Sequence, residues 1–314
     1  MTCLKPIRLN YSKDEIVARQ NDPLLDSFAK SQTYHLVPCG KCEFCLSKKR
    51  SDWFFRLRNE FDYSDSAFFF TLTYDDSKLP INDKGFYSVC KRDIQLFLKR
   101  FRKRIQPFKI RYYIVSEYGP RSLRPHYHGI IFNFPQSLRR KLDNFLLQSW
   151  DKGFVSISDV NDSRINYVTY YCLFSKENPP GTCKNFMLCS RRPLIGAGFV
   201  QRFIDLDYFN DNLTDIYAMR STSGDVQKFR IPRIYREKLL SDDSIKQINA
   251  KYDKRNYEKF TDLYTRQYEW LISHGFDPLL KTPIEGSPLW EYLQSKESKR
   301  IEFKNKFTKR TKRI

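Results

Sequence analysis

Between residues 67 and 160 the chain switches repeatedly between the two-residue period of a strand and the 3.6-residue period of a helix, and this alternation constrains the fold more than any other feature. AFFFTLTY, residues 67–74, is a continuous β-prone run and predicts a buried strand. Over 91–106, Ile94, Phe97, Leu98, Phe101 and Ile105 recur at helical spacing, while Lys99, Arg100, Arg102, Lys103 and Arg104 take the outer face. IRYYIVSE, 110–117, and HYHGIIF, 126–132, predict two strands joined through the turn YGPRSLRP. A helix is expected from Pro135, with an apolar stripe of Leu138, Leu142, Phe145, Leu146 and Trp150. Gly153 then opens FVSISDV, a short alternating strand. The order β-α-β-β-α-β predicts an α+β fold of the split-βαβ kind, an antiparallel sheet with helices on one face. Residues 163–175 predict a further helix beside the sheet, stopped by Pro179 and Pro180.

This pattern assigns the central domain to residues 63–200. A cysteine-rich segment, 1–62, precedes it. A basic, mainly helical region, 201–314, follows and ends in the flexible tail KRIEFKNKFTKRTKRI. Apolar residues make up 40% of the 314, enough for a real core and unlike a disordered chain. The net charge of +20 far exceeds the magnitude of about 2–8 that solubility asks of a small domain. Such a surplus points to a polyanion, with nucleic acid as the leading candidate. Lys48, Lys49, Arg50, the outer face of the 91–106 helix, Arg191, Arg192 and the tail are the candidate DNA contacts, with exposed Tyr and Phe available to stack on bases. The N-terminus has no apolar h-region and no apolar run approaches membrane-spanning length, so a cytoplasmic protein without membrane contact is expected. The absence of a G-x-x-x-x-G-K-[ST] loop argues against a nucleotide cofactor.

Chemistry concentrates in Pro125-His126-Tyr127-His128-Gly129. On a strand His126 and His128 share one face and Tyr127 takes the other, so two imidazoles form half of a metal site. Glu117 ends the preceding strand and can reach the same ion across a hairpin, and two His plus one carboxylate leave positions open for water and a phosphate oxygen. Mg²⁺ or Mn²⁺ suits such a mixed set. Tyr167 and Tyr171 are four apart and share a helical face. Tyrosine is a known covalent nucleophile, but its phenol needs help at neutral pH, and Lys176 is a candidate cation. Alone, such a pair of aromatics is core packing; the histidines alter that reading. Cys39, Cys42 and Cys45 can wrap a structural Zn²⁺, which needs four ligands; otherwise they are reduced thiols.

Taken together in order, these motifs resemble the HUH rolling-circle nucleases, and more closely the replication initiators of microvirus-type single-stranded-DNA phages, the gokushovirus branch especially. The residues that carry the resemblance are Cys3-Leu4, the Pro38–Cys45 segment, Phe70-Thr71-Leu72-Thr73-Tyr74, Ser116-Glu117-Tyr118-Gly119, Pro125–Gly129, Tyr167–Tyr171 and Ser190-Arg191-Arg192-Pro193. The resemblance implies an HUH-type sheet with an added tyrosine-bearing helix, metal held by His126, His128 and Glu117, and nicking of a single-stranded or supercoiled circular DNA origin by Tyr167 or Tyr171. The 5′ end would stay joined as a phosphotyrosine and later be religated. A host helicase and DNA polymerase, in the host bacterial cytoplasm, would be the partners. Cys3 is the fourth zinc ligand it implies, with His35 as the alternative. The chain departs from the pattern where lysine is usual, at Tyr170 and Phe174. The alternatives are an HUH relaxase or transposase, a non-catalytic single-stranded-DNA-binding protein in which the histidines are structural, and a zinc hydrolase using metal-bound water.

Overall fold

A computed structural model describes residues 7–23, 30–31, 33–119, 122–174, 178–280, 282–295, 297–298 and 301. In chain order its elements are β1 (Ile7–Asn10), α1 (Lys13–Asn21), β2 (Tyr34–Val37), α2 (Glu43–Asp62), β3 (Ala67–Tyr74), α3 (Lys91–Arg104), β4 (Arg111–Tyr118), β5 (Pro125–Phe132), α4 (Leu142–Trp150), β6 (Gly153–Asp159), α5 (Asp162–Phe174), β7 (Met187–Cys189), α6 (Ala197–Phe203), α7 (Tyr208–Asp211), β8 (Ile216–Arg220), β9 (Val226–Arg230), α8 (Arg233–Leu239) and α9 (Asp242–Ser273). The described residues form two compact units, one running 40–241 and the other joining 7–39 to the segment from 242 onward.

The larger unit is α+β. Its sheet has five strands in the order β6-β3-β5-β4-β7, every neighbouring pair antiparallel. Side-chain alternation divides β3 between two cores. Phe68, Phe70, Leu72 and Tyr74 face α3 and α4, meeting Ile94, Phe97, Leu98 and Phe101 from the first and Leu142, Leu146 and Trp150 from the second. Phe69 faces the other way, with Tyr113, Val115, Ile130 and Phe132, against Phe54 and Leu57 of α2 and Ile165 and Val168 of α5. Helices therefore cover both faces, not one as the sequence pattern predicts. The two crossover helices keep to one face. The second face is equally apolar, and α2 and α5 shield it from water.

Several elements differ from the expectation in detail. The helix expected from Pro135 is a 3-10 segment, Gln136–Lys141, followed by α4. The helix α2, the short edge strand β7 and the β8–β9 hairpin are not anticipated by the sequence pattern, and that hairpin interrupts the region expected to be mainly helical. The basic tail beyond residue 301 lies outside the described residues.

Two features fix the strand that carries the histidines. Tyr127 points away from them, as its alternation requires, into a buried chain of hydroxyls. The Tyr74 and Tyr127 hydroxyls lie 2.8 Å apart, Tyr74 donates to Asp93 at 2.8 Å, and the Cys90 amide donates to Tyr127 at 2.7 Å. This ties the start of α3 to the sheet and satisfies polar atoms that burial would otherwise leave costly. Gly129 lets the strands close, because a Cβ there would overlap the ring of Phe70.

In the smaller unit β1 pairs antiparallel with β2, Ile7 opposite Val37. Ser12 and Glu15 cap α1 reciprocally: the Glu15 amide donates to Ser12 Oγ at 3.2 Å and the Ser12 amide to Glu15 Oε2 at 2.7 Å. Lys246 of α9 pairs with Asp22 at 3.2 Å. Among the described residues no helix is long and apolar enough to cross a membrane.

Candidate active site and metal centre

The register of the sheet builds the site. Glu117 lies directly opposite His126, while Thr73 and Thr71 flank His126 and His128 from β3. Alternation puts Glu117, His126 and His128 on the face that α5 covers. Glu117 Oε2 lies 3.4 Å from His126 Nε2 and 3.2 Å from His128 Nε2. The residues at this centre are withdrawn from water: Glu117 is 3% exposed and His128 7%.

The outer nitrogens of both rings are occupied, which turns Nε2 inward. His126 Nδ1 donates to the Arg124 carbonyl at 3.1 Å, and His128 Nδ1 lies 2.9 Å from Thr71 Oγ1. A carbonyl only accepts, so His126 carries its proton on Nδ1 and a neutral ring turns a lone pair toward Glu117. Burial, with the neighbouring His126, holds the His128 imidazole below its ordinary pKa against the opposing pull of Glu117. That favours the neutral, ligating form. Burial pushes Glu117 up, but hydrogen bonds and charge from the two histidines outweigh it and hold the carboxyl below its ordinary value. An ionised carboxylate and two imidazole nitrogens facing one another at this range repel unless a proton or cation lies between them.

The donor set fits a divalent ion. One ligand atom from each of Glu117, His126 and His128 falls within 4.8 Å of the others. Ligands at about 2.1 Å and right angles around an octahedral ion sit about 3 Å apart, close to the separations found here. Two imidazoles and one carboxylate leave the remaining positions for water or substrate oxygens.

Tyr167 reaches this cluster from α5. Its hydroxyl donates to Glu117 Oε2 at 3.4 Å and lies 3.2 Å from His128 Nε2. Its ring meets His128 edge-on, centroids 4.9 Å apart, and Phe69 at 6.2 Å, while Phe69 stacks on His128 at 5.7 Å. Tyr171 follows one turn later in the same helix; its side chain, and Lys176 entirely, lie outside the described residues. Tyr170 is half-buried beside Arg50, whose guanidinium sits 5.8 Å from its ring centroid. Burial pushes the Tyr170 phenol up, Arg50 lowers it and Glu117 raises it further.

The residues expected to contact DNA do not form one cluster. Lys48 and Lys49 are exposed on α2, and Lys48 lies 3.9 Å from Asp52. Arg50 donates to Asn166 of α5 at 3.1 Å. Arg191 and Arg192 stand beyond β7, near the start of β4, at the far end of that strand from Glu117. Over the short stretch 39–45, the sulfurs of Cys39, Cys42 and Cys45 gather within 4.8 Å of one another, Cys42 and Cys45 at 3.5 Å. Cys3 lies outside the described residues, as does the side chain of His35. Thr71 and the Arg124 carbonyl have no chemical signal in the sequence as histidine partners. Thr71 sits in an apolar run, and only strand pairing brings it to His128.

Residues 67–178 match the family model of the Replication-associated protein ORF2 type. The matched stretch contains Glu117, both histidines and the tyrosine helix. The chain is similar to the Replication-associated protein ORF2 of Spiroplasma virus 4, 26% identical over 85% of this chain and 92% of that protein. It is similar also to the Replication-associated protein VP4 of Bdellovibrio phage phiMH2K, 24% identical over 54% of this chain and 57% of that one. The Replication-associated protein ORF4 of Chlamydia phage 1 is 26% identical over 66% of this chain and 55% of its own length. The resemblance to microvirus-type replication proteins drawn from the motifs is thus found over the chain as well. No solved structure matches the chain.

Proposed function

We propose that this chain is a metal-dependent endonuclease of the HUH type that initiates rolling-circle replication of a circular single-stranded-DNA genome. The observation that carries the reading is the convergence of Glu117, His126 and His128 with the Tyr167 hydroxyl, which lies 3.2 Å from one ligand and 3.4 Å from another. The strand order supports it: β3, β4, β5 and β6 lie as β6-β3-β5-β4, the split-βαβ arrangement, with α3 and α4 as the crossovers. The replication-associated relatives support it too.

A Mg²⁺ or Mn²⁺ ion held by His126, His128 and Glu117 would polarise the scissile phosphate. Thr71 and the Arg124 carbonyl hold the two imidazoles in orientation. The Tyr167 oxygen, oriented by its hydrogen bond to Glu117, attacks phosphorus and loses its proton to water. A tyrosine–phosphorus bond forms, the bond to the 3′ oxygen breaks, and that oxygen takes up a proton. The 5′ end remains as a phosphotyrosine and the 3′-OH primes synthesis. Unwinding and polymerisation fall to a host helicase and polymerase in the bacterial cytoplasm. Incubation with circular single-stranded DNA and Mn²⁺ yields a protease-sensitive protein–DNA adduct, EDTA suppresses it, and added Mg²⁺ or Mn²⁺ restores it. Full adduct formation in excess chelator overturns the metal-dependent reading.

A structural Zn²⁺ on Cys39, Cys42 and Cys45 completes the proposal, supported by the gathering of their sulfurs, with Cys3 supplying a fourth thiolate. Elemental analysis of protein purified without chelators then finds one zinc per chain, and Cys42→Ser removes it. Metal-free protein would mean plain thiols.

A further inference from the structure

A cavity of about 1010 Å³ opens where the C-terminal end of α3, the first residues of β4 and the segment after β7 come together. Lys91, Arg102, Lys109, Arg111, Arg191 and Arg192 line it, and no lining residue is acidic. Arg111 is engaged elsewhere, by Glu60 and by the carbonyls of Pro193 and Leu194 at 2.9 Å. The other five form no ion pair among the described residues. Arg102 stacks over Tyr112, 5.0 Å from the ring centroid, and Phe108 stands in the same wall with 45% of its surface exposed.

Cations without partners repel one another, so a wall of five is a site for negative charge. They come from three separate stretches of chain, spread too widely for one phosphate group, and they match a string of phosphates. Phe108 adds a face on which an unpaired base can stack. The groove is remote from the metal ligands. From Arg111 to Glu117 along β4 is six residues, about 20 Å at about 3.3 Å each.

We propose that this groove is a second binding site for single-stranded DNA, holding a stretch of strand distant from the phosphate that reacts. The inference rests on the endonuclease reading for the identity of the strand. Its chemistry, a basic channel with an exposed aromatic, stands apart from that reading. A strand held at both sites gains affinity from the tether between them.

The test is a triple substitution, Lys109→Gln, Arg191→Gln and Arg192→Gln, in the full chain, measured with a fluorescent single-stranded oligonucleotide of roughly 30 nucleotides, long enough to exceed one site of about 4–16. Each lost phosphate contact lowers the slope of log K against log salt by about 0.7, so three lower it by about 2 and weaken binding about 10-fold or more at moderate salt. Manganese titration at the His126–His128 centre shows that the variant retains the fold. A photo-crosslinking base moved along the oligonucleotide attaches, in the wild type, to peptides 107–112 or 188–193 at some positions. Wild-type affinity and slope in a variant that binds manganese normally overturn the groove, as do crosslinks confined to the tyrosine helix. If the groove variant loses affinity but wild-type protein forms no metal-dependent adduct, the endonuclease reading fails and the groove stands.

Discussion

His128→Ala lowers the rate of DNA cleavage by at least about 10³-fold, or about 4 kcal/mol of transition-state stabilisation, while leaving most of the DNA affinity intact. His126→Ala does the same. The two properties separate because the histidines act on one phosphate, whereas affinity is spread over the dispersed cations of a chain with net charge +20. Glu117→Ala weakens Mn²⁺ binding and cleavage together, since its carboxylate is the charged ligand and accepts the hydrogen bond from Tyr167. Thr71→Val has a graded effect. It removes only the partner 2.9 Å from His128 Nδ1 and costs about 10–100-fold in metal affinity or activity. Metal titration, filter binding and a cleavage assay on the four variants read these outcomes. Cleavage at the wild-type rate by a folded His128→Ala protein removes the site from the mechanism.

Substitution of both Tyr167 and Tyr171 by Phe eliminates the covalent protein–DNA adduct, while each single variant keeps some first-strand cleavage but fails to release successive unit circles. Initiation must cut once to start and again to finish, and a single nucleophile is still occupied by the first 5′ end when the second cut falls due. A second tyrosine one helical turn away can act at the same metal, and the freed 3′-OH then closes the circle on the older phosphotyrosine. Tyr167 has its hydroxyl within 3.4 Å of the ligand cluster. Tyr170 is packed beside Arg50, and burial pushes its phenol up, so Tyr170→Phe is nearly silent. Mass spectrometry of the trapped adduct decides the matter, and a phosphotyrosine at Tyr170, or outside α5, overturns the assignment.

Much of the candidate site was legible because its parts are local. The His-x-His spacing puts two imidazoles on one strand face through covalent geometry alone, and Glu117 ends the strand before it. What covers that face was harder to read. In α2, Phe54 and Leu57 pack on the sheet, yet they sit in a segment dense with charge, where the cysteines and the Lys48-Lys49-Arg50 run are the stronger signals. The strand β7 has only three residues, too few for any period to register, and exists because the edge of β4 offers unpaired backbone groups to it. The β8–β9 hairpin is short and largely exposed, without the apolar run that marks β3.

The sequence by itself determined the alternation of strands and helices across residues 67–160, the apolar stripes of α3 and α4, and the shared face of His126 and His128. These follow from periods of 2 and 3.6 residues, which every short stretch of chain carries. Only the tertiary structure decided that Glu117 stands opposite His126, that Thr71 orients His128, and that Tyr167 lies over all three. Those relations join residues about 10 to 60 positions apart. They are set by strand register and by which apolar face a helix must cover, quantities that depend on the whole assembled core.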